Sequence, residues 1–351
     1  MTAVLGAGPA GCAAAIALAR AGQRVLLLER QPVPSESVCG EFLGPDAAAA
    51  LATLGLDLPG LGAVALREVV LPGARRPVPL PFAAWALPRR VLDGALREAA
   101  VAAGAELRRG VTVRGAEPDG EGWRLHLPDG SLAARRIILA TGKHGLRGHP
   151  RAGAPAGAVG QKLHLAGVEM GAAVALLPFA GGYAGLQPLP GGGANLCAAL
   201  HGEPARDAAG LLARVAEGSP LAGRLLRDAR PLWARPLSVG AVPYGFRQPG
   251  GGPPGLYRVG DQAAVIPSFT GEGVALALHS GLAAAAAILA GQEAGEFHAE
   301  WRRRSARPMR LAGLGAWVLR RWPAGFAAAG PVVAQAFARA TRLPLSRPAT
   351  G

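Results

Sequence analysis

The residues with the plainest chemistry stand at the start of the chain. In AVLGAGPAG, residues 3 to 11, Gly6, Gly8 and Gly11 carry the GxGxxG spacing between a short apolar run and an alanine-rich stretch. Such a turn suits a pyrophosphate. Gly6 permits the tight bend, Gly8 lets phosphate approach the backbone, and Gly11 lets the following helix pack on the strand. The helix start at Pro9 and Ala10 adds positive charge. Glu29 closes the next apolar run 18 residues after Gly11, where a carboxylate accepts hydrogen bonds from an adenosine ribose. Arg30 follows it and joins the cofactor set. Strand, turn, helix and acid together predict a bound dinucleotide, with NAD and FAD equally allowed.

A second glycine turn lies far downstream, in VGDQAAVIPSFTGEGVALALHSG, residues 259 to 281. One nucleotide needs one such turn, so this one is aimed at something else. Other reactive candidates are scattered. Cys39 offers a thiol for proton donation or packing against a cofactor ring, and Glu41 a carboxylate to orient substrate or loop. Lys162 and His164 alternate in GQKLHLAG, hence share one face of a strand, and are expected to line a substrate pocket. Tyr183 is the expected substrate-side hydroxyl. No metal site is expected, because Cys12, Cys39 and Cys197 have no ligand spacing.

These residues need elements to hold them. Residues 2 to 6, 9 to 21 and 23 to 30 read as strand, helix and strand, a βαβ unit. PRRVLDGALREAAVAAG, 88 to 104, is an amphipathic helix, and helices follow near 45 to 54 and 205 to 229. Alternating runs between 156 and 200 predict an antiparallel sheet, and the chain becomes helical from His298, with Trp301, Trp317 and Trp322 among arginines. At 351 residues, half of them hydrophobic, two lobes around one ligand are expected. The formal net charge of +14 comes from 37 basic residues of which only Lys143 and Lys162 are lysine. The arginines are dispersed and poor in aromatic neighbours, which argues against nucleic acid. No apolar run reaches the roughly 20 clean residues of a membrane span. No signal segment is read at the amino terminus, so a reducing cytoplasm is the expected location, with peripheral membrane contact through the C-terminal segment.

VGDQAAVIPSFTGEG resembles the second FAD motif of flavoproteins of the glutathione-reductase type. The resemblance implies that Gly260 and Asp261 meet the ribityl chain or a nearby phosphate. It also implies that Pro267, Gly271, Glu272 and Gly273 lie at the pyrimidine edge of the flavin, where a helix start stabilises reduced flavin. Further segments are similar to the superfamily of p-hydroxybenzoate hydroxylase-like monooxygenases, flavin-dependent halogenases and geranylgeranyl reductases. PRRVLDGALREAA implies that Arg89 approaches the cofactor, GVTV that the Val113 backbone meets adenine, and IILATG that Thr141 and Gly142 stand beside the cofactor. VCGEFLGPDA and TGEGVALALHSG look most like the geranylgeranyl reductase branch. That branch's aromatic and Phe-Pro substrate positions read Gly185 and Gln187-Pro188 here, which makes Gln187 a substrate candidate. The halogenases' Trp-x-Trp motif is absent.

The resemblance implies an α/β fold: a Rossmann FAD lobe with an inserted antiparallel substrate sheet and a C-terminal helical segment. The expected boundaries are 1–65, 88–150 and 246–290 for the FAD lobe, 66–87 and 151–245 for the substrate lobe, and 291–351 for the helices. The implied cofactor is FAD, with NAD(P)H as external reductant. The favoured activity is hydroxylation of a small apolar, aromatic or polyketide-like substrate through a flavin C4a-hydroperoxide. The alternative is reduction of carbon-carbon double bonds in an isoprenoid-like chain, and a non-catalytic FAD module is a remote third reading.

Overall fold

The computed structural model describes residues 1–74, 76–151, 153–155, 157–321 and 339–342. β1 (Thr2–Leu5) and β2 (Val25–Glu29) are joined by α1 (Pro9–Arg20). They sit within a five-stranded parallel sheet, with Arg136–Leu139 and then Leu256–Arg258 beyond β1, and Glu106–Arg109 beyond β2. Strands covered on both faces are apolar without alternation, as VLLL and IIL are. Side chains then sort by period two. Val4, Leu27 and Ile138 enter the core beneath the helices, while Leu5, Leu26, Leu28, Ile137 and Leu139 meet Trp123 and Leu125 on the other side. Those two belong to a three-stranded antiparallel sheet, Gly115–Asp119, Gly122–Leu127 and Gly130–Ala134, that covers this face.

Two glycines set the spacing of the helical layer. A side chain at Gly11 would collide with the carbonyl oxygen of Gly6, and one at Gly281 with that of Ala10. The helix Gly273–Leu289 therefore lies backbone to backbone against the start of α1. The two glycine turns, remote in sequence, are brought together by this packing.

The second layer is a nine-stranded mixed sheet. Leu163, Leu165, Leu186 and Leu196 point to one face, where Leu211 and Val215 of a short helix close a core. The residues that alternate with them, Lys162 paired with Cys197 and Gly185, and His164 paired with Asn195 and Gln187, lie on the opposite face, toward the parallel sheet. The short strand Phe42–Leu43 pairs with Val78–Ala86 at the edge of this second sheet, and Val64–Val70 also joins it. The loop carrying Cys39 and Glu41 thus runs between the layers. Helices Ala294–Arg304 and Ala306–Arg321 follow, and Trp322 lies outside the described residues. No helix among the described residues is long and apolar enough to cross a membrane.

Candidate functional site

A cavity of about 620 Å³ lies between the layers. Its volume falls in the ordinary range for small-molecule and cofactor sites. Gly6, Gly8, Pro9, Ala10, Glu29, Arg30, Arg89, Val113, Thr141, Gly142, Gly260, Asp261, Gly271 and Gly273 all border it, as do Cys39 and Glu41. Gly11 stands behind the wall as a packing residue. Val113 reaches the cavity from an irregular link after Glu106–Arg109.

At the amino-terminal turn, Glu29 is already organised. Its carboxylate accepts from the Ala7 N–H at 2.8 Å and the Gln31 N–H at 2.9 Å, with Arg97 at 3.5 Å. Arg97 donates through Nε to the Ala7 carbonyl at 3.1 Å, while its Nη1 is buried with no partner. An orphaned guanidinium N–H beside a glycine turn and a helix start fits a pyrophosphate. Arg89 is held by two bonds to Asp93, at 2.9 and 2.8 Å. Burial disfavours the Arg89 charge, and Asp93 overrides it, so the guanidinium stays charged. Arg30 meets His144 Nε2 at 2.8 Å.

At the second turn, the Gly260 N–H donates to Ser280 Oγ at 2.7 Å, and Asp261 faces Lys143 Nζ at 3.3 Å. The Asp261 charge holds the Lys143 ammonium above its ordinary range. The helix starting at Gly273 opens onto the cavity, since nothing lies within 4 Å of where a Gly273 side chain would begin. Two expected members of this turn lie elsewhere. Pro267 is not part of the cavity wall, although its neighbours Ile266 and Ser268 are. Glu272 is buried away from the cavity beside Gly44, with Arg342 at 3.5 Å and no hydrogen bond to either carboxylate oxygen. Burial lifts its pKa to about 7 against the opposing charge of Arg342.

Glu41 is the centre of the substrate-side arrangement. It has φ of 60°, a left-handed conformation uncommon outside glycine. Its Oε1 accepts from the Arg89 backbone N–H at 2.8 Å and from Lys162 Nζ at 2.5 Å, and Oε2 lies 3.2 Å from His164 Nε2. Burial pushes this carboxyl up, but His164 and Lys162 outweigh it and hold it below the usual range. The Glu41 N–H donates to Cys39 Sγ at 3.3 Å, and Asn195 Nδ2 donates to the Cys39 and Gly40 carbonyls at 3.2 and 2.9 Å. Glu36, Glu41 and His164 could present ligand atoms to a metal, but Lys162 Nζ, 2.7 Å from Glu36, already supplies the cation there.

The four substrate candidates do not border the cavity itself. Lys162 and His164 share a face as the alternation requires, yet they support Glu41 from behind and do not border the cavity. Tyr183 bonds Ser268 at 2.7 Å and accepts from the Phe269 N–H at 3.1 Å, so it ties the second sheet to the second turn. Gln187 is buried and likewise outside the wall. Arg97, Asp93, Lys143, Asn195, Cys197 and Ser268 were not singled out from the sequence. Asp93 and Arg97 follow Arg89 at intervals of four on one helix face, a legible signal. Asn195 and Cys197 show only as alternate residues in a strand.

Residues 2–44 match the family model described as FAD dependent oxidoreductase. With the fit of the cavity to a dinucleotide flavin, this marks the chain as an FAD-dependent oxidoreductase, and its fold is one that flavin-dependent halogenases also adopt. Among particular proteins it is similar to a menaquinone reductase of Mycolicibacterium smegmatis, 28% identical over 331 residues, which covers 82% of this chain and 76% of that one. Its fold matches the flavin-dependent brominase Bmp2 with a TM-score of 0.79 at 20% identity, covering 97% of this chain and 92% of that one. It also matches the myxobacterial chondrochloren halogenase CndH, with a TM-score of 0.75 at 21% identity, covering 99% and 86%.

Proposed function

We propose that this oxidoreductase reduces a carbon-carbon double bond in an isoprenoid-like, apolar substrate. The observation that carries the reading is the placement of the Cys39 and Cys197 thiols on the same cavity as both glycine turns. FAD, when bound, supplies two-electron chemistry at its ring; the chain supplies everything else. The start of α1 and Arg97 would hold the pyrophosphate, Glu29 the ribose and Asp261 the ribityl chain, and the helix start at Gly273 would supply positive charge to the ring. Saturating a double bond also needs a proton at carbon. Cys39 presents an S–H from a loop fixed by Glu41 and Asn195. Burial pushes the Cys197 thiol up to about 12, so it keeps its proton at neutral pH.

The relationship to a menaquinone reductase supports this reading over oxygen transfer, since menaquinone carries an isoprenoid chain. Lys162 is enclosed by two carboxylates, and Lys143, which does border the cavity, is paired with Asp261, so neither offers a free amine, which argues against halogenation. The exposed face of Ala306–Arg321, with Arg307, Arg310, Leu314 and Trp317, suits an anionic membrane surface where such substrates dissolve. The test is anaerobic turnover. FAD-loaded protein reduced with dithionite is given a prenyl alcohol, and the expected product has gained two hydrogens. A product that forms only in air and carries one added oxygen atom replaces this reading with hydroxylation.

A further inference from the structure

Two polar atoms on the cavity-side face of the second sheet have no partner. Gln187 Nε2 and Asn195 Oδ1 are both buried and both lack a hydrogen bond. They belong to residues directly opposite one another in the antiparallel pair. Side chains so placed start about 5 Å apart and lie on the same face. One atom is a donor and the other an acceptor. Asn195 cannot turn its amide to relieve this without losing the bonds from Nδ2 to the Cys39 and Gly40 carbonyls.

The same face is hollow next to them. Gly185 precedes Gln187 by two residues on its strand and pairs with Cys197, which borders the cavity. A side chain begun at Gly185 meets nothing within 4 Å. Open space therefore stands between the cavity wall at Cys197 and the orphaned pair. On the far side of Asn195 the face is polar, where His164 pairs with it and is held by Glu41, while the cavity wall carries the apolar ring of Phe42, packed against the Leu66, Ala84 and Ala86 cluster.

We propose that Gln187 and Asn195 form a polar subsite for the hydroxyl group of the substrate, reached past Gly185. A single hydroxyl oxygen satisfies both atoms, accepting from Gln187 Nε2 and donating to Asn195 Oδ1. A carbonyl or ether satisfies only the first, and a hydrocarbon neither, so the pair selects an alcohol or phenol. The identity of the chain attached to that hydroxyl rests on the isoprenoid reading above; the hydroxyl preference does not.

The experiment measures equilibrium binding to the oxidised, FAD-loaded protein through the flavin absorbance, without turnover. Two pairs of probes are used: geranylgeraniol against the hydrocarbon lacking its hydroxyl, and 1-naphthol against naphthalene. The wild type is expected to prefer the hydroxylated member of a pair about tenfold or more, as sites built to bond a substrate hydroxyl do. Gln187→Leu should remove that preference while leaving hydrocarbon binding intact, and Gln187→Asn should restore part of it. If the preference persists in Gln187→Leu, the proposal is overturned. If the wild type shows no preference and Gln187→Leu only raises the melting temperature, the pair is structural and the proposal is overturned. If only the naphthol pair binds and obeys Gln187, the subsite stands and the isoprenoid reading falls. If neither pair binds, both fall.

Discussion

Lys162 Nζ sits between two carboxylates, 2.5 Å from Glu41 and 2.7 Å from Glu36, with no exposed side-chain surface. A fully buried ammonium is costly by itself and persists here because the acids neutralise it. Lys162→Met should therefore destabilise the protein by about 3–5 kcal/mol, since it strands the Glu41 charge. Adding Glu41→Gln should recover much of the loss, because a neutral amide needs no cation. The pH dependence has a definite sign. The folded-state pKa of Glu41 is depressed, so in the wild type its contribution is present above the unfolded value and is lost as pH falls through the folded one. Urea unfolding of the two variants across pH checks this, and equal stability of wild type and Lys162→Met at neutral pH contradicts it.

Glu272 behaves in the opposite way. Its pKa is raised from 4.5 to about 7, mainly by burial. Its contribution is complete below the unfolded value and is lost as pH rises to the folded one, because the unfolded chain releases the proton first. The loss amounts to roughly 3 kcal/mol between those limits. Glu272→Gln should thus match the wild type near pH 4 and exceed it near pH 8. Thermal melts of both proteins across that interval give the answer; parallel curves would falsify the assignment.

The parallel layer was readable because its signals are local. GxGxxG, an acid closing the next strand and unbroken apolar runs each report on their own neighbours, and together they define the βαβ unit. The second turn was readable only through resemblance, since its partner is hundreds of residues away. Its contact with α1 depends on Gly281, whose lack of a side chain has no meaning until Ala10 is beside it. Alternation correctly put Lys162 and His164 on one face, but period two does not say what the face meets. That answer lies in Glu41, whose left-handed backbone no propensity predicts. Glu272 points away from the cavity for the same non-local reason: Gly44 and Arg342 make its enclosure.

Gly281 offers a direct check on how the two turns are joined. Gly281→Val places atoms on the Ala10 carbonyl, which forces the Gly273–Leu289 helix off α1. Overpacking of this kind costs about 1–3 kcal/mol. Because both turns shift relative to one another, FAD retention should fall along with the melting temperature. Gly291→Ala is a useful comparison: it meets no neighbour within 4 Å, so FAD retention should survive there despite the strain of its positive φ.

The proposed membrane contact should depend on the arginines of the helix Ala306–Arg321. Arg307, Arg310, Leu314 and Trp317 are all exposed and recur at helical spacing along one side of Ala306–Arg321. Each arginine near an anionic surface contributes about 1 kcal/mol, within a Debye length of about 10 Å at moderate salt. Arg307→Glu with Arg310→Glu should therefore abolish co-sedimentation with phosphatidylserine-containing vesicles, while the wild type is released by added salt. Leu314→Ser should weaken the salt-resistant part. Equal sedimentation of all forms removes this face as the contact.

Arg97 supplies the sharpest test of the cofactor site. Its Nε and Nη2 are committed to the Ala7 carbonyl and Glu29, whereas Nη1 is buried without a partner in a residue that borders the cavity. A charged hydrogen bond to a buried anion is worth about 1.5–3 kcal/mol, so Arg97→Met should weaken FAD binding by roughly tenfold to a hundredfold. The same change leaves Glu29 without its cation, which would lower apo-protein stability as well. The two effects separate by experiment. Glu29→Gln combined with Arg97→Met removes the stranded charge and should recover melting temperature without recovering FAD affinity. Titration of the apo-protein with FAD, followed by flavin fluorescence, reads the second quantity, and wild-type affinity in Arg97→Met would show that Nη1 does not meet the pyrophosphate.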